Sequence, residues 1–369
     1  MKYLNEKIYG TVLEVSTAAI TRNLERCREK LPAGTGIIPI VKASAYGHGA
    51  YEIAALLERQ GVDYLAVAFT SEGIALRQNG IRVPIIVFNA DADSFEELIR
   101  HRLEPEIYNF VALNEFVTQA QKQNCDRYPI HIKLDTGMHR LGFGARDLDA
   151  LSAAIAAADS VKVATIFSHL AAADDPAHDD FTRRQIADFN SLSLSLAAGL
   201  PYPVRRHIAN TNGTVRFPEA RLDMVRLGIG LYGVGMEGVE RVASLRTRII
   251  SIAELPAGET VGYGRCGVLT RPSHIATIPI GYADGLNRRL SQGAWSVLVN
   301  GHPSPIVGNV CMDSCMIDIT GIQGVEVGGE AVIFSSAAGN TVEDMAAALG
   351  TIPYEVMTSI SARVKRIYV

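Results

Sequence analysis

Short apolar runs rich in β-branched residues recur along the first two thirds of the chain. Each ends in a polar or glycine-rich turn and leads into an amphipathic segment rich in Ala, Leu and Glu. Eight such runs read as strands: 36–42 (GIIPIVK), 63–68 (DYLAVA), 83–88 (VPIIVF), 104–108 (EPEIY), 129–134 (PIHIKL), 161–167 (VKVATIF), 204–209 (VRRHIA) and 223–226 (DMVR). Between them, segments such as 51–60, 71–79, 147–159 and 179–198 carry apolar residues at the 3.6-residue spacing of helices packed on one face. Strand and helix in alternation imply parallel strands with right-handed crossovers, and eight units is the number that closes a barrel. A doubly wound open sheet is the rival. Against it, no G-x-G-x-x-G opens the first unit, and chemically loaded residues follow many different strands.

Beyond about Gly238 the pattern changes to alternating strands and tight turns, expected at 248–255, 274–281, 295–300, 312–319 and 325–333. A helix is expected over 341–349 and a basic strand over 362–369. The fold class is therefore α/β: an N-terminal (β/α)8, TIM-like barrel over residues 10–237, followed by a C-terminal mainly β domain over residues 244–369. The glycine-bearing segment 233–244 reads as the linker.

Composition narrows the function. The 369 residues are 48% hydrophobic and 20% charged, which suits two domains with sizeable cores and excludes disorder or a collagen-like chain. A net charge of −4 supplies no basic face for nucleic acid or anionic lipid, so a small molecule is the expected partner. No apolar stretch approaches the roughly 18 residues of a membrane helix, and residues 1–10 lack the apolar core of a signal peptide; a cytoplasmic protein is expected. Five irregularly spaced cysteines without a C-x-x-C pair suit a reducing compartment and predict no metal site.

The first run ends VKASAYGHG over 41–49, placing Lys42 at the C-terminal mouth of the expected barrel, where such barrels carry their chemistry. Desolvation there lowers the pKa of a lysine and frees its amine to form a Schiff base. Taken alone, a lysine leaving the sheet for solvent looks the same. Tyr46, Gly47 and Gly49 shift the balance.

K-A-x-A-Y-G-H-G resembles the signature of the alanine racemases, pyridoxal-phosphate (PLP) enzymes built as an α/β barrel plus a β domain. Further blocks match in the same order through essentially the whole chain: KLDTGMHRLGF (133–143), DMVRLGIGLYG (223–233), VGYGR (261–265), PIGYADG (279–285), GNVCMD (308–313) and YEVMTSISARV (354–364).

The resemblance implies a pyridoxal 5'-phosphate cofactor and a role for each matching residue. Lys42 is implied to bind the cofactor covalently and to serve as one of two bases. Tyr46 and Tyr354 match positions that hold the phosphate, with Thr211, Gly228 and Ile229 as further donors. The family often has serine where Thr211 stands, so the hydroxyl is kept and a methyl added. Arg226 matches the arginine facing the pyridine nitrogen, His169 a residue against the ring, and Asn210 one that shapes the pocket. An arginine keeps its proton and only donates, so the pyridine nitrogen is expected to stay unprotonated, which suppresses transamination.

Racemisation needs a base on each face of the substrate carbon. The resemblance assigns the second base to Tyr263, acting on L-alanine while Lys42 acts on D-alanine. A phenol with an ordinary pKa of about 10 needs cationic neighbours for that task. Arg140 and the backbone of Met312 are implied to bind the substrate carboxylate, and Tyr282 to line the entrance or the carboxylate pocket. Lys133 aligns with a lysine carbamylated in many relatives; the carbamate would hold Arg140 in place. The family forms a head-to-tail homodimer in which Tyr263 and Met312 of one subunit face Lys42 of the other, so the β domain is expected to complete the partner subunit's active site.

The implied function is interconversion of L-alanine and D-alanine, supplying D-alanine for peptidoglycan. The rivals are a broader-specificity or serine racemase of the same fold, and a decarboxylase of related architecture, disfavoured by the Tyr263 and Met312 motifs. A non-catalytic PLP-binding carrier is the rival from another class; it would lack the β domain and the second base. The leader MKYLNEKIYG reads equally as a natural start or as a junction with a peptidoglycan-precursor ligase.

Overall fold

The computed structural model describes residues 10–369, so the reading of the leader lies, but for Gly10, outside the described residues. After β1 (Thr11–Val15) and helix α1 (Thr17–Glu29) come eight strands that coincide with the eight expected runs. They are β2 (Gly36–Pro39), β3 (Leu65–Val67), β4 (Ile85–Val87), β5 (Glu104–Ile107), β6 (Tyr128–Lys133), β7 (Val161–Phe167), β8 (Arg205–His207) and β9 (Met224–Leu227). Helices alternate with them: α2 (Ala50–Arg59), α3 (Thr70–Gln78), α4 (Phe95–Arg100), α5 (Phe110–Lys122), α6 (Leu148–Ala156), α7 (Asp179–Ala198) and α8 (Thr211–Arg216).

Strands β3 to β8 pair in parallel in sequence order, and β2 pairs in parallel with β9. The two remaining seams are joined by backbone bonds: Val41 N–H donates to the Ala66 carbonyl at 2.9 Å, and Arg226 N–H to the Ala209 carbonyl at 3.0 Å. The eight strands thereby close into a (β/α)8 barrel. Strands β2, β3, β4 and β9 are buried along their whole length, as strands covered on both faces must be. Asparagine caps set helix starts: the Asn109 side chain accepts the Ala112 N–H ahead of α5, and Asn210 accepts the Gly213 N–H ahead of α8.

The β-rich unit contains β10 (Ala243–Arg248), β11 (Ser251–Leu255), β12 (Thr260–Val261), β13 (Gly267–Val268), β14 (Ser273–Ile278), β15 (Ser296–Val299), β16 (His302–Val307), β17 (Cys315–Asp318), β18 (Glu330–Phe334) and β19 (Lys365–Tyr368). Helices α9 (Val342–Leu349) and α10 (Pro353–Thr358) precede β19. Nine strands form one sheet in the order β11-β14-β17-β16-β15-β18-β10-β1-β19.

Strand β1 thus belongs to this sheet, antiparallel to β10 and parallel to β19, whereas the hydropathy pattern starts the barrel at residue 10. A period-2 pattern reveals a strand without naming its partner. Two compact units result, one of residues 10–20, 46–49 and 240–369, the other of residues 21–45 and 50–239. Among the described residues no helix is long and apolar enough to cross a membrane.

Candidate active site

Lys42 follows directly on β2 and opens a turn in which Ala43, Ser44, Ala45 and Tyr46 all have φ between +50° and +56°. One left-handed residue other than glycine costs about 1 kcal/mol, so four in succession need external support. Glu72, in the first turn of α3, supplies part of it by accepting the Ala43 N–H at 2.6 Å. Burial first, and then the Arg140 cation, lower the Lys42 pKa from the ordinary lysine value, favouring a neutral, nucleophilic amine.

Arg226, on β9, is 3% exposed. Its Nη2 donates to the carbonyls of Ser168 at 2.7 Å and Ile208 at 2.9 Å and to His169 Nδ1 at 3.1 Å, while Nη1 donates to His207 Nδ1 at 2.5 Å. Burial, reinforced by the Arg226 charge, holds both His169 and His207 well below the ordinary imidazole value, so both are neutral acceptors. The arginine is thereby held by four acceptors; burial lowers its pKa to about 10, with Glu106 opposing the shift, which leaves it cationic near neutral pH.

At the end of β8, Asn210 caps α8, and the buried Thr211 hydroxyl accepts the Gly228 N–H at 3.1 Å and the Gly230 N–H at 3.4 Å. A Cβ on Gly230 would lie 2.5 Å from Thr211 Cγ2, so only glycine lets the chain after β9 approach this closely. Thr211, Gly228 and Ile229 are thus assembled as one cradle, with the Gly228 amide already directed at Thr211.

Loop 135–142 folds back on β6. Asp135 Oδ1 accepts the N–H groups of Gly137, Met138 and His139 at 3.0–3.1 Å, and Phe143 N–H returns to the Lys133 carbonyl at 2.9 Å. This nest presents Arg140 to solvent at the barrel mouth. Lys133 is buried, its Nζ 4.6 Å from the centre of the Phe167 ring. Glu106 on neighbouring β5 is buried as well. Burial pushes the Glu106 carboxyl up and Lys133 down, and their mutual attraction opposes both shifts. Arg140, Arg226 and Lys42 add to the pull on Glu106.

In the β-rich unit, the Tyr46 and Tyr354 rings pack at 5.7 Å, and burial pushes the Tyr46 phenol up, keeping it a proton donor. Segment 46–49 is tied to the chain terminus: Arg366 Nε donates to the Gly47 carbonyl at 2.9 Å, Tyr368 Oη to the His48 carbonyl at 3.0 Å, and a Cβ on Gly47 would strike the Met357 carbonyl oxygen at 2.2 Å.

The loops bearing Tyr263 and Met312 also meet closely. Asn309 Nδ2 donates to the Tyr263 carbonyl at 3.2 Å, and a Cβ on Gly308 would lie 2.5 Å from the Val261 carbonyl oxygen. A Cβ on Gly281 would come within 2.3 Å of the Cys311 and Met312 carbonyl oxygens, which accept the Tyr282 and Ala283 N–H groups at 3.0 Å. Tyr263, Met312 and Tyr282 therefore share one surface, and all three are exposed, Tyr263 at 74%.

Three residues of the barrel site, Glu72, Glu106 and His207, were not anticipated from the sequence. One carried a readable signal: Glu72 sits three residues into its helix, as capping requires, whereas Glu106 shares its short strand with a second glutamate that masks it.

Residues 15–235 match the family model for the alanine racemase N-terminal domain, and residues 242–368 that for the C-terminal domain. The chain is 40% identical over 372 residues to alanine racemase 1 of Caldanaerobacter subterraneus subsp. tengcongensis, spanning 97% of this chain and 94% of that protein. The solved alanine racemase of Clostridium difficile 630 matches with a TM-score of 0.91 at 33% identity over 98% of this chain and 96% of that one. The alanine racemase of Bartonella henselae, solved with covalently bound pyridoxal phosphate, matches with a TM-score of 0.87 at 30% identity over 98% and 99%. Likeness at this level over nearly the full length of each protein shows more than a common fold: the chain belongs to the alanine racemase family.

Proposed function

We propose that this protein is a PLP-dependent racemase that interconverts L-alanine and D-alanine. The observation that carries the reading is Lys42: an amine with a lowered pKa, held by a left-handed turn at the C-terminal mouth of a (β/α)8 barrel. The residues present fit the cofactor. The Thr211 cradle that a Cβ at Gly230 would fill suits a phosphate, as do the phenols of Tyr46 and Tyr354; the Arg226 guanidinium, hydrogen-bonded to His169, suits a pyridine ring; Asn210, capping the helix that opens at Thr211, borders the cradle; and Lys42 suits an aldehyde. Bound there, PLP would draw electrons from the substrate α-carbon and acidify its proton.

The chain's own groups do the rest. Lys42 Nζ takes or gives the α-proton on one face and Tyr263 Oη on the other. Arg140, the Met312 amide and Tyr282 orient the carboxylate. Because Tyr263 is exposed on its own chain, we assign the cations that favour its phenolate to the barrel of a second copy, in a head-to-tail homodimer with two shared sites. Residues 10–237 and 244–369 are the proposed working halves, with β1 lent to the second. Lys133, its amine pushed toward the neutral form by burial, is the proposed site of a carbamate. The product D-alanine would feed peptidoglycan synthesis in the cytoplasm.

The test is direct. Cofactor-loaded protein given L-alanine is expected to form D-alanine, serine being turned over far more slowly, and Lys42→Ala to form none. Cofactor retention without D-alanine, or without α-deuterium washout from either enantiomer, overturns the reading in favour of a carrier.

A further inference from the structure

Arg226 ends a series of five polar side chains, one from each of five neighbouring strands, hydrogen-bonded through the barrel interior. From Arg226 Nη1 on β9 it runs 2.5 Å to His207 Nδ1 on β8, then from His207 Nε2 3.1 Å to Thr165 Oγ1 on β7. Thr165 Oγ1 lies 2.7 Å from His131 Nδ1 on β6, and His131 Nε2 lies 2.9 Å from Glu104 Oε2 at the start of β5. His207, Thr165 and His131 have no exposed surface. Ring packing holds both imidazoles: His207 stacks on Phe167 at 4.9 Å, and Tyr64 meets His131 edge-on at 5.5 Å.

The two ends dictate the direction. Arginine only donates and a carboxylate only accepts. Arg226 gives its N–H to His207 Nδ1, leaving the proton of this neutral imidazole on Nε2. That N–H points at Thr165 Oγ1, whose single hydrogen then goes to His131 Nδ1. His131 carries its own proton on Nε2 and donates it to Glu104. With both imidazoles neutral, reversing any link sets two hydrogens or two lone pairs against each other at 3.1 Å or less. Hydrogen bonds aligned in one sense polarise one another, and the three central groups are shielded from bulk solvent.

We propose that Glu104, His131, Thr165 and His207 form a one-way hydrogen-bonded chain that positions the Arg226 guanidinium for the racemase reaction and fixes both histidines as neutral Nε2–H tautomers. The chain rests on the reading of the protein as a PLP-dependent racemase. All four are positioning residues, acting through Arg226.

Thr165→Val removes the linking hydroxyl at nearly constant volume, and Thr165→Ser keeps it. With histidine labelled selectively with 15N, and signals assigned through His131→Asn and His207→Asn, the wild type is expected to show both imidazoles as neutral Nε2–H forms. Thr165→Val is expected to mix the tautomers and to lower kcat for alanine about ten-fold with KM little changed, Thr165→Ser restoring both. Glu104→Leu, which removes the acceptor at the chain's partly exposed end, provides the same readouts if Thr165→Val fails to fold. An Nδ1–H or cationic form at either histidine in the wild type overturns the chain. So does a racemase whose spectrum and kcat are indifferent to the linking variant that folds. A wild type that racemises no alanine instead overturns the functional reading beneath it.

Discussion

The Glu72 carboxylate accepts the Ala43 N–H at 2.6 Å through one oxygen and the Ala68 N–H at 2.8 Å through the other. One side chain thus ties the left-handed turn after Lys42 to the residue that follows β3. Glu72→Ala leaves these amides without their acceptor, at a cost of about 0.5–1.5 kcal/mol. It is expected to lower the thermal midpoint and slow cofactor uptake together; thermal unfolding and a PLP titration check both, and no change in either refutes the role.

Arg140 lowers the Lys42 pKa, second only to burial. Only the neutral amine attacks an aldehyde, so uptake of PLP by the cofactor-free protein is expected to rise with pH through the Lys42 pKa. Arg140→Gln removes a cation that favours the neutral form. The Lys42 pKa then rises and the uptake profile moves to higher pH. A profile that stays in place, or moves down, rules out this coupling.

Gly230 and Thr211 are matched in shape. Gly230→Ala is expected to destabilise by about 1–3 kcal/mol, because its Cβ would meet Thr211 Cγ2 at 2.5 Å. Thr211→Ser deletes that methyl and is expected to recover most of the loss in the double variant. Denaturant unfolding of the four proteins in this cycle decides it; strictly additive effects would remove the steric explanation.

Burial raises the Glu106 pKa and lowers that of Lys133. A raised carboxyl stabilises the fold while protonated, and the contribution is lost as pH rises from the ordinary carboxylate range through the raised value. Glu106→Gln is expected to remove that slope from a stability–pH curve; an unchanged slope assigns it elsewhere. The lowered lysine acts oppositely, its burial costing least at high pH, and its neutral amine is the form that takes up carbon dioxide. Growth with 13C-bicarbonate is expected to give a carbamate NMR signal absent from Lys133→Arg. Full activity without that signal counts against the modification.

Tyr263→Phe keeps the ring and removes the oxygen proposed as the second base. Racemisation in both directions needs both bases, so both rates are expected to fall by about 100- to 10,000-fold. Exchange of the α-proton with solvent separates the roles: washout from D-alanine persists through Lys42, while washout from L-alanine is lost. Equal loss from both enantiomers would overturn the assignment.

The eight barrel strands and the main helices were legible in the chain because a period of two or of 3.6 is a local property, written into each segment whatever it packs against. The motifs that mark Lys42, Arg226 and Tyr263 were legible for the same reason: a glycine-rich loop must keep its glycines in order. Partners were not legible. Strand β1 joins β10 and β19 across more than two hundred residues. Strand β16 was hidden by Pro303 and Pro305, which are tolerated because β17 pairs only with Ile306 and Val307 beyond them. EPEIY, PIHIKL and VRRHIA look like ordinary strands with incidental polar residues. Closing the barrel turns Glu106, His131, Thr165, His207 and Arg226 onto one enclosed face, with Glu104 at its partly exposed edge, and each buried polar group must find another. Periodicity is encoded residue by residue, whereas partnership among buried charges exists only after distant strands have met.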